Sequence, residues 1–119
     1  MKTHNIVQEK SYLFALRIVK CYQYLVFEKK ESVLAKQVLR CGTSIGANIE
    51  EAIGGQSKKD FIAKICIAYK EARETHYWLR LLRDAKYLAD KQANSLITDV
   101  EELLKILTSI KTTSMKNNL

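Results

Sequence analysis

Proline is absent from the sequence, and glycine occurs only four times in 119 residues. Both residue types interrupt helices, so their scarcity favours helix along nearly the whole chain. Alanine, leucine, isoleucine, lysine and glutamate recur throughout, a composition that suits helices. A chain of this length folds around one shared hydrophobic core. We therefore expect an all-α protein with a single domain, residues 1–119.

Candidate metal ligands are also few, with three cysteines and two histidines. Cys21, Cys41 and Cys66 are widely separated and odd in number, which is typical of reduced thiols in a cytoplasmic protein. His4 and His76 form neither the Glu-x-x-His motif of a di-iron bundle nor a zinc spacing with the cysteines. We expect no metal and no cofactor.

Sequence signatures of catalysis are missing as well. The chain has no G-x-S-x-G elbow, and its GGQSKK segment lacks the spacing of a phosphate-binding loop. No uncharged apolar run approaches membrane-spanning length, and the amino terminus lacks the apolar core of a signal peptide. These features favour a non-enzymatic, cytoplasmic protein without a membrane segment.

Apolar residues recur at helical spacing in four segments. In the first segment, Phe14, Ile18, Cys21 and Leu25 follow one helical face. Short links between the segments predict an antiparallel up-down four-helix bundle. The predicted helices span residues 10–28, 32–53, 58–85 and 91–112, between a disordered start and a frayed tail at 113–119.

Two signals mark the boundary between the second and third helices. Gly54 and Gly55 are expected to end the second helix, because glycine readily takes the left-handed conformation there. Ser57 and Asp60 have the spacing of an approximate capping box, which predicts that the third helix begins at this point.

The third helix has more apolar coverage than one core needs. Beside its main stripe, Ile67, Tyr77, Trp78 and Leu81 place apolar groups on other sides of the helix. A helix that is apolar nearly all round is buried on two sides, and in a chain this short the second side is expected to meet another subunit. This pattern predicts a homo-oligomer.

The second helix contains two glycines four residues apart. Gly42 and Gly46 therefore lie on one face, where the absence of side chains lets another helix approach closely. Each glycine costs up to about 1 kcal/mol of helix stability relative to alanine, so close packing must compensate. A close crossing inside the bundle, a crossing between subunits, and a ligand lying against the bare backbone are all compatible with this spacing.

Polar residues follow these glycines at a core-facing position. Asn48 falls on the apolar face, and its amide needs a partner such as Ser44 because an unsatisfied buried amide costs about 1 to 3 kcal/mol. One of Glu50 and Glu51 is expected to pair with an arginine of the third helix. Asn48 and Glu51 fit either a structural network that fixes the register of the assembly or part of a binding site.

The net charge of +7 is compatible with an anionic partner such as nucleic acid. Lys58 and Lys59 lie in the first turn of the third helix, where the helix dipole favours an anion over a cation. They are either solvated lysines or contacts for a phosphate.

A second basic group follows along the third helix. Arg73, His76, Arg80 and Arg83 have three-four-three spacing, which predicts one basic stripe that could contact RNA or DNA. Assembly into a homo-oligomer would repeat the stripe and strengthen binding. The alternative is that these side chains pair with carboxylates within or between subunits.

The run from Gln37 to Phe61, QVLRCGTSIGANIEEAIGGQSKKDF, resembles the large-subunit rRNA intervening-sequence protein family. That family's pattern has Q-x-x-R, then S-I-x-x-N-I-x-E-G, then S-x-K-D-F. The later segment YKEARETHYWLRLLRDAKYL is similar to the family's third helix. Ala52 replaces the usual glycine, and the proline often found between the first two helices is absent.

The resemblance implies a four-helix bundle that assembles into a ring, typically a pentamer, without known enzymatic chemistry. Members include proteins encoded within rRNA insertions and the accessory subunit of diversity-generating retroelements, which works with a reverse transcriptase and nucleic acid. We therefore expect a nucleic-acid-associated accessory protein, with an RNA or polymerase–RNA complex as its partner. The alternative is a protein-interaction scaffold whose charge only maintains solubility.

Overall fold

The computed structural model describes the backbone of residues 2–117 and the side chains of residues 6–116. Within that range the chain is entirely helical apart from three short links, and it contains no strand. The four helices are α1 (Lys2–Phe27), α2 (Val33–Ile53), α3 (Lys58–Asp84) and α4 (Asp90–Asn117). The predicted all-α four-helix bundle is confirmed.

Each helix packs against its neighbours in sequence, and α1 closes the bundle by packing on α4. The contacts across each seam run in opposite directions along the two helices. Across the α1–α4 seam, Lys10 pairs with Glu102 and Arg17 pairs with Asp99. The bundle is therefore antiparallel and measures 48 × 21 × 20 Å, so every helix presents one long side to solvent.

The first helix begins earlier than predicted. Residues expected to be disordered form the first turns of α1, where Val7 and Ser11 extend the buried face by about one turn. The Gln8 amide also donates hydrogen bonds of 3.0 Å to both carboxylate oxygens of Glu50 on α2. These contacts hold the start of α1 against the bundle. The segment is mostly polar, and of its two described apolar side chains only Val7 is buried, so the sequence pattern did not indicate a helix here. The side chain of His4 lies outside the described residues.

The last helix also continues past the predicted end at residue 112. Helix α4 extends to Asn117, because no glycine or proline interrupts it and the buried Ile110 holds its last apolar turn in the bundle. The Lys111 ammonium lies 4.4 Å from the centroid of the Tyr69 ring on α3, which tethers this part of the helix. Of the predicted tail, residues 118 and 119 lie outside the described residues.

The buried stripe of the bundle follows the predicted helical spacing closely. In α1, Phe14, Ile18, Cys21 and Leu25 are all buried, as predicted. In α2 the predicted stripe is buried at four positions: Val38, Cys41, Ile45 and Ala52. Its other two members, Leu34 and Asn48, are only partly covered, and the neighbouring Ala35 and Ile49 are buried in their place. The core also includes aliphatic residues from α3 and α4: Ile65, Ala68, Ala72, Leu79, Leu82, Ala93, Val100, Leu103, Leu107 and Ile110.

The helix boundaries confirm one predicted cap and correct another. The Asp60 backbone N–H donates a 3.0 Å hydrogen bond to the Ser57 hydroxyl, as an N-cap requires. Gly54, however, has φ of −82°, and no described glycine has positive φ. The left-handed residues are Lys30 and Lys86, in the first and third links.

None of the helices within the described range is long and apolar enough to cross a membrane.

Candidate nucleic-acid interface

The glycines of α2 mark a close approach to α1 within the subunit. A Cβ atom added at Gly42 would lie 2.9 Å from both the Cγ1 and the Cγ2 atoms of Ile18. One added at Gly46 would meet the Ser11 hydroxyl oxygen at 3.4 Å and the Ser11 carbonyl oxygen at 3.5 Å, which are ordinary contacts. Of the two glycines, only Gly42 sits where a methyl group would collide with its neighbour.

Of the two contacts expected of the polar residues beside these glycines, the one between Asn48 and Ser44 is present and the one between Glu51 and an arginine is not. The Asn48 amide donates a 2.8 Å hydrogen bond to the Ser44 carbonyl, within α2, while the Ser44 hydroxyl donates to the Arg40 carbonyl. Glu51 pairs with Lys64 of α3 at 2.7 Å, so the partner is a lysine and not an arginine. Among the side chains of residues 6–116, Asn48 therefore does not link α2 to another helix.

The two lysines at the start of α3 are exposed to solvent. Lys58 lies fifteen residues before Arg73, which corresponds to roughly 22 Å along a helix that rises 1.5 Å per residue. Lys58 and Lys59 are therefore separate from the arginines, at the end of the bundle where α3 begins.

The predicted basic stripe of α3 divides into two kinds of residue. His76 lies 3.0 Å from the Glu101 carboxylate of α4, and Arg83 donates 2.9 Å hydrogen bonds to Asp84 and Asn94. Arg73 and Arg80 are exposed on the solvent-facing side of α3. Neither arginine has a carboxylate partner among residues 6–116. The arginines available to an anion are thus the ones that flank His76.

These two arginines line an open groove between α3 and α4. The α4 side of the groove contributes Lys105, which also lacks a carboxylate partner within the described residues. Tyr77 lies in the α3 wall between the arginines, with 49% of its surface exposed. Lys105 was not predicted from the sequence, because its place in the groove depends on how α4 packs against α3.

The groove also contains three carboxylates, and each has a cationic or histidine partner. Glu74 pairs with Arg40 of α2 and accepts a 3.0 Å hydrogen bond from the Trp78 indole, and both contacts lower the pKa of its carboxyl group. Glu102 pairs with Lys10 of α1 at 3.3 Å. Glu101 faces His76. With these pairs formed, the groove has three cations without a carboxylate partner among the described residues, Arg73, Arg80 and Lys105. Glu101, beside a histidine, is the groove carboxylate that has no lysine or arginine partner in that range.

A second cationic cluster adjoins the groove around Tyr69. Arg73 donates a 3.4 Å hydrogen bond to the Tyr69 hydroxyl, and this contact lowers the pKa of that phenol. The Lys111 ammonium lies over the same ring, 4.4 Å from its centroid. Arg73, Lys105 and Lys111 therefore extend the basic surface along the seam toward the end of α4.

The described residues contain no group of three or more histidine, cysteine or acidic side chains that could hold a metal ion. Cys21, Cys41 and Cys66 are all free thiols. Burial raises the pKa of Cys21 and of Cys41 to about 11, so both thiols are protonated at neutral pH.

These features define a small antiparallel helical bundle with a charged groove along one seam. A family model described as 23S rRNA-intervening sequence protein matches residues 3–109. The chain belongs to this family. Comparison with curated proteins gives no significant match.

A solved structure supports the same assignment. The chain is 52% identical to a Bacteroides thetaiotaomicron VPI-5482 protein of unknown function from the S23 ribosomal protein family, with a TM-score of 0.91. The similarity covers 92% of this chain and 98% of that one.

Proposed function

We propose that this protein is a non-enzymatic, oligomeric accessory protein that binds nucleic acid in the α3–α4 groove. The observation that carries the proposal is the charge pattern of the groove. Its three carboxylates are occupied by partners, while Arg73, Arg80 and Lys105 have no carboxylate partner among the described residues. Cations that the protein itself does not neutralise are suited to phosphate groups.

Binding of this kind would depend on backbone charge and little on base sequence. Each phosphate contact releases condensed counterions, so affinity would fall steeply as the salt concentration rises. Three cations per subunit are a small site, so useful affinity requires several copies acting together. The proposed function is therefore linked to self-association.

The exposed apolar surface of α1 supports self-association. Six large apolar residues on this helix are each between 38% and 65% exposed, on the side facing away from the core: Ile6, Tyr12, Leu13, Leu16, Val19 and Phe27. Together they form a patch on the order of several hundred Å², the size at which apolar patches mark interaction sites. The sequence predicts such a surface on α3 from Ile67, Tyr77, Trp78 and Leu81. Of these residues Ile67, Tyr77 and Leu81 are exposed, while Trp78 is partly buried.

The two patches lie on helices that do not contact each other across the bundle. When the α1 patch of one copy packs on Ile67 and Leu81 of the next, the contact is head-to-tail, and such contacts form a ring when the rotation between successive copies closes. We propose a ring of this kind, a pentamer as the family resemblance implies. The Arg73–Arg80 groove would then be repeated around it.

The family description, which refers to 23S rRNA intervening sequences, favours RNA over DNA as the ligand. An RNA or a polymerase–RNA complex is thus the proposed partner, in the cytoplasm. The exposed apolar patches support a second candidate, a scaffold that binds other proteins and no nucleic acid. Salt-dependent RNA binding distinguishes the two.

The test is fluorescence anisotropy of a structured RNA titrated with the protein across a salt series. We expect tight binding at low salt that weakens steeply as salt is added. The double substitution Arg73→Glu with Arg80→Glu should weaken binding, and loss of two phosphate contacts should reduce the salt slope by about 1.4 for unpaired RNA and by about 1.8 for paired RNA. A matched control, Lys29→Glu with Lys36→Glu, makes the same change in net charge at exposed residues outside the groove.

Equal loss in the two double variants would mean that only net charge matters, and the groove would be the wrong site. No binding of RNA at low salt by the unchanged protein would favour the scaffold. Light scattering in the same buffers gives the subunit number, and Leu16→Glu should lower the measured mass while circular dichroism shows unchanged helix content.

A further inference from the structure

We infer that the groove takes its nucleic acid as a single strand, with an unpaired base stacked on Tyr77. This inference rests on the proposed function, because it specifies the form of the nucleic acid that the same groove binds. It depends on the exposure of one aromatic ring, the contacts that hold this ring, and its position between two arginines.

The Tyr77 ring is exposed but held in place. The Tyr77 and Trp78 rings pack in a T-shaped arrangement, with a centroid distance of 5.1 Å and an interplanar angle of 71°. Trp78 is fixed in turn, since its indole N–H donates a 3.0 Å hydrogen bond to Glu74, which pairs with Arg40. A ring with nearly half its surface open and its orientation fixed loses little freedom when a base stacks on it.

The two arginines bracket this ring along α3. Arg73 and Arg80 are seven residues apart, which is about 10 Å along the helix axis. Stacked nucleotides in one strand are spaced by about 3.4 Å, so roughly three nucleotides would span the arginines. A strand with its phosphates on Arg73 and Arg80 would place an intervening base at Tyr77. The Arg80 guanidinium, 5.9 Å from the centroid of the Tyr77 ring, can contact both the ring and a phosphate.

A duplex does not suit this groove. Packed helices have axes about 8–10 Å apart, so the seam between α3 and α4 is too narrow to admit a double helix. The bases of a duplex also stack on one another and cannot offer a face to an aromatic side chain. A single strand can follow a narrow cationic groove and place its bases on exposed rings, a combination found in proteins that bind single strands without sequence preference.

The inference is tested with a labelled, unstructured RNA of about 15 nucleotides and with the same strand annealed to its complement. Anisotropy at one salt concentration gives the two affinities. We expect the single strand to bind more tightly than the duplex. Tyr77→Leu should weaken single-strand binding about tenfold, because loss of one base–aromatic stack has an effect of that size. Tyr77→Phe, which keeps the ring, is the control and should bind within about twofold of the unchanged protein.

The single tryptophan offers a second readout. Trp78 is the only tryptophan in the sequence, and its ring centroid lies 5.1 Å from that of Tyr77. A base stacked on Tyr77 would therefore quench Trp78 fluorescence when unlabelled single strand is added. The quenching should be retained in Tyr77→Phe and reduced in Tyr77→Leu.

The possible failures are distinguishable. If the duplex binds as tightly as the single strand, or Tyr77→Leu binds normally while Arg73→Glu with Arg80→Glu does not, the single-strand inference is wrong and the proposed function stands. If neither RNA form binds at low salt, the proposed function is wrong and the inference falls with it. Circular dichroism of each variant shows whether the fold is retained.

Discussion

Gly42 and Gly46 lie on the same face of α2, yet replacing each with alanine should change stability in opposite directions. Both substitutions remove a glycine from a helix interior, which by itself stabilises the helix by roughly 0.5 to 1 kcal/mol. The difference comes from what the new methyl group meets on α1. At Gly42 it would lie 2.9 Å from two carbons of Ile18, whereas at Gly46 the nearest atom is the Ser11 hydroxyl oxygen at 3.4 Å.

The collision at Gly42 cannot be relieved cheaply. The contacted Cγ1 and Cγ2 atoms are bonded directly to the β carbon of Ile18, and that side chain is fully buried, so it cannot rotate away into solvent. Overpacking of this kind costs about 1 to 3 kcal/mol. After the gain in helix propensity is subtracted, Gly42→Ala should destabilise the subunit by about 1 kcal/mol. Gly46→Ala should stabilise it by about 0.5 kcal/mol.

Thermal unfolding followed by circular dichroism at fixed protein concentration is the assay. For a domain of this size, 1 kcal/mol corresponds to a shift of about 4 °C in Tm. Gly42→Ala should therefore lower Tm and Gly46→Ala should raise it. Light scattering on each variant shows whether the number of subunits has changed, since dissociation would also alter Tm.

A double-mutant cycle locates the effect. Ile18→Ala removes both contacted carbons, so Gly42→Ala should no longer destabilise the protein in that background, and the coupling should be about 1 to 2 kcal/mol. If both glycine variants shift Tm in the same direction by similar amounts, the contact with Ile18 does not limit the approach of α2 to α1. A coupling near zero would refute the same reasoning.

Three further predictions concern the amino terminus, the α3 cap and the thiols. Val7→Ala should cost about 1.5 kcal/mol in chemical denaturation because Val7 is buried, while Glu9→Ala, at an exposed position, should cost little; equal losses would contradict the helical register at the start of α1. Ser57→Ala should lower stability by about 1 kcal/mol through loss of the N-cap hydrogen bond, and Ser57→Asp should preserve it; an unchanged Ser57→Ala variant would contradict the cap. The pKa of Cys21 and of Cys41 is raised from 9.0 to about 11 in the folded state, so their contribution to stability is complete below pH 9 and is lost as the pH rises toward 11. Replacing both cysteines with alanine should make Tm fall less steeply between pH 9 and pH 11. If Tm falls with pH as steeply as in the unchanged protein, the raised pKa of the two thiols is contradicted.

Much of the fold could be predicted from the sequence because helical periodicity is a local signal. Phe14, Ile18, Cys21 and Leu25 are three or four residues apart, so any helix formed there places them on one face, and all four are buried. The cap at Ser57 was predictable for the same reason. The Ser57 hydroxyl accepts a hydrogen bond from the Asp60 N–H, which is only three residues away. The start of α1 was missed because it is ordered by contacts of Val7 and Gln8 with residues distant in sequence.

The candidate site was only partly predictable. The spacing of Arg73, His76, Arg80 and Arg83 put them on one side of α3, but spacing gives no information about their partners on α4. Glu101 and Asn94 engage His76 and Arg83, whereas Arg73 and Arg80 remain without a carboxylate partner in the described part of the chain.

The sequence by itself determined the number of helices, their approximate limits and most of the core, because these depend on propensity and on spacing within single segments. Tertiary structure decided which charges are neutralised and which remain available. The arginine beside Glu74 belongs to α2, the lysine beside Glu102 belongs to α1, and Lys105 reaches the groove from α4. The two ion pairs and the position of Lys105 beside α3 all bring together residues of different helices. They therefore exist only once the four helices have packed together.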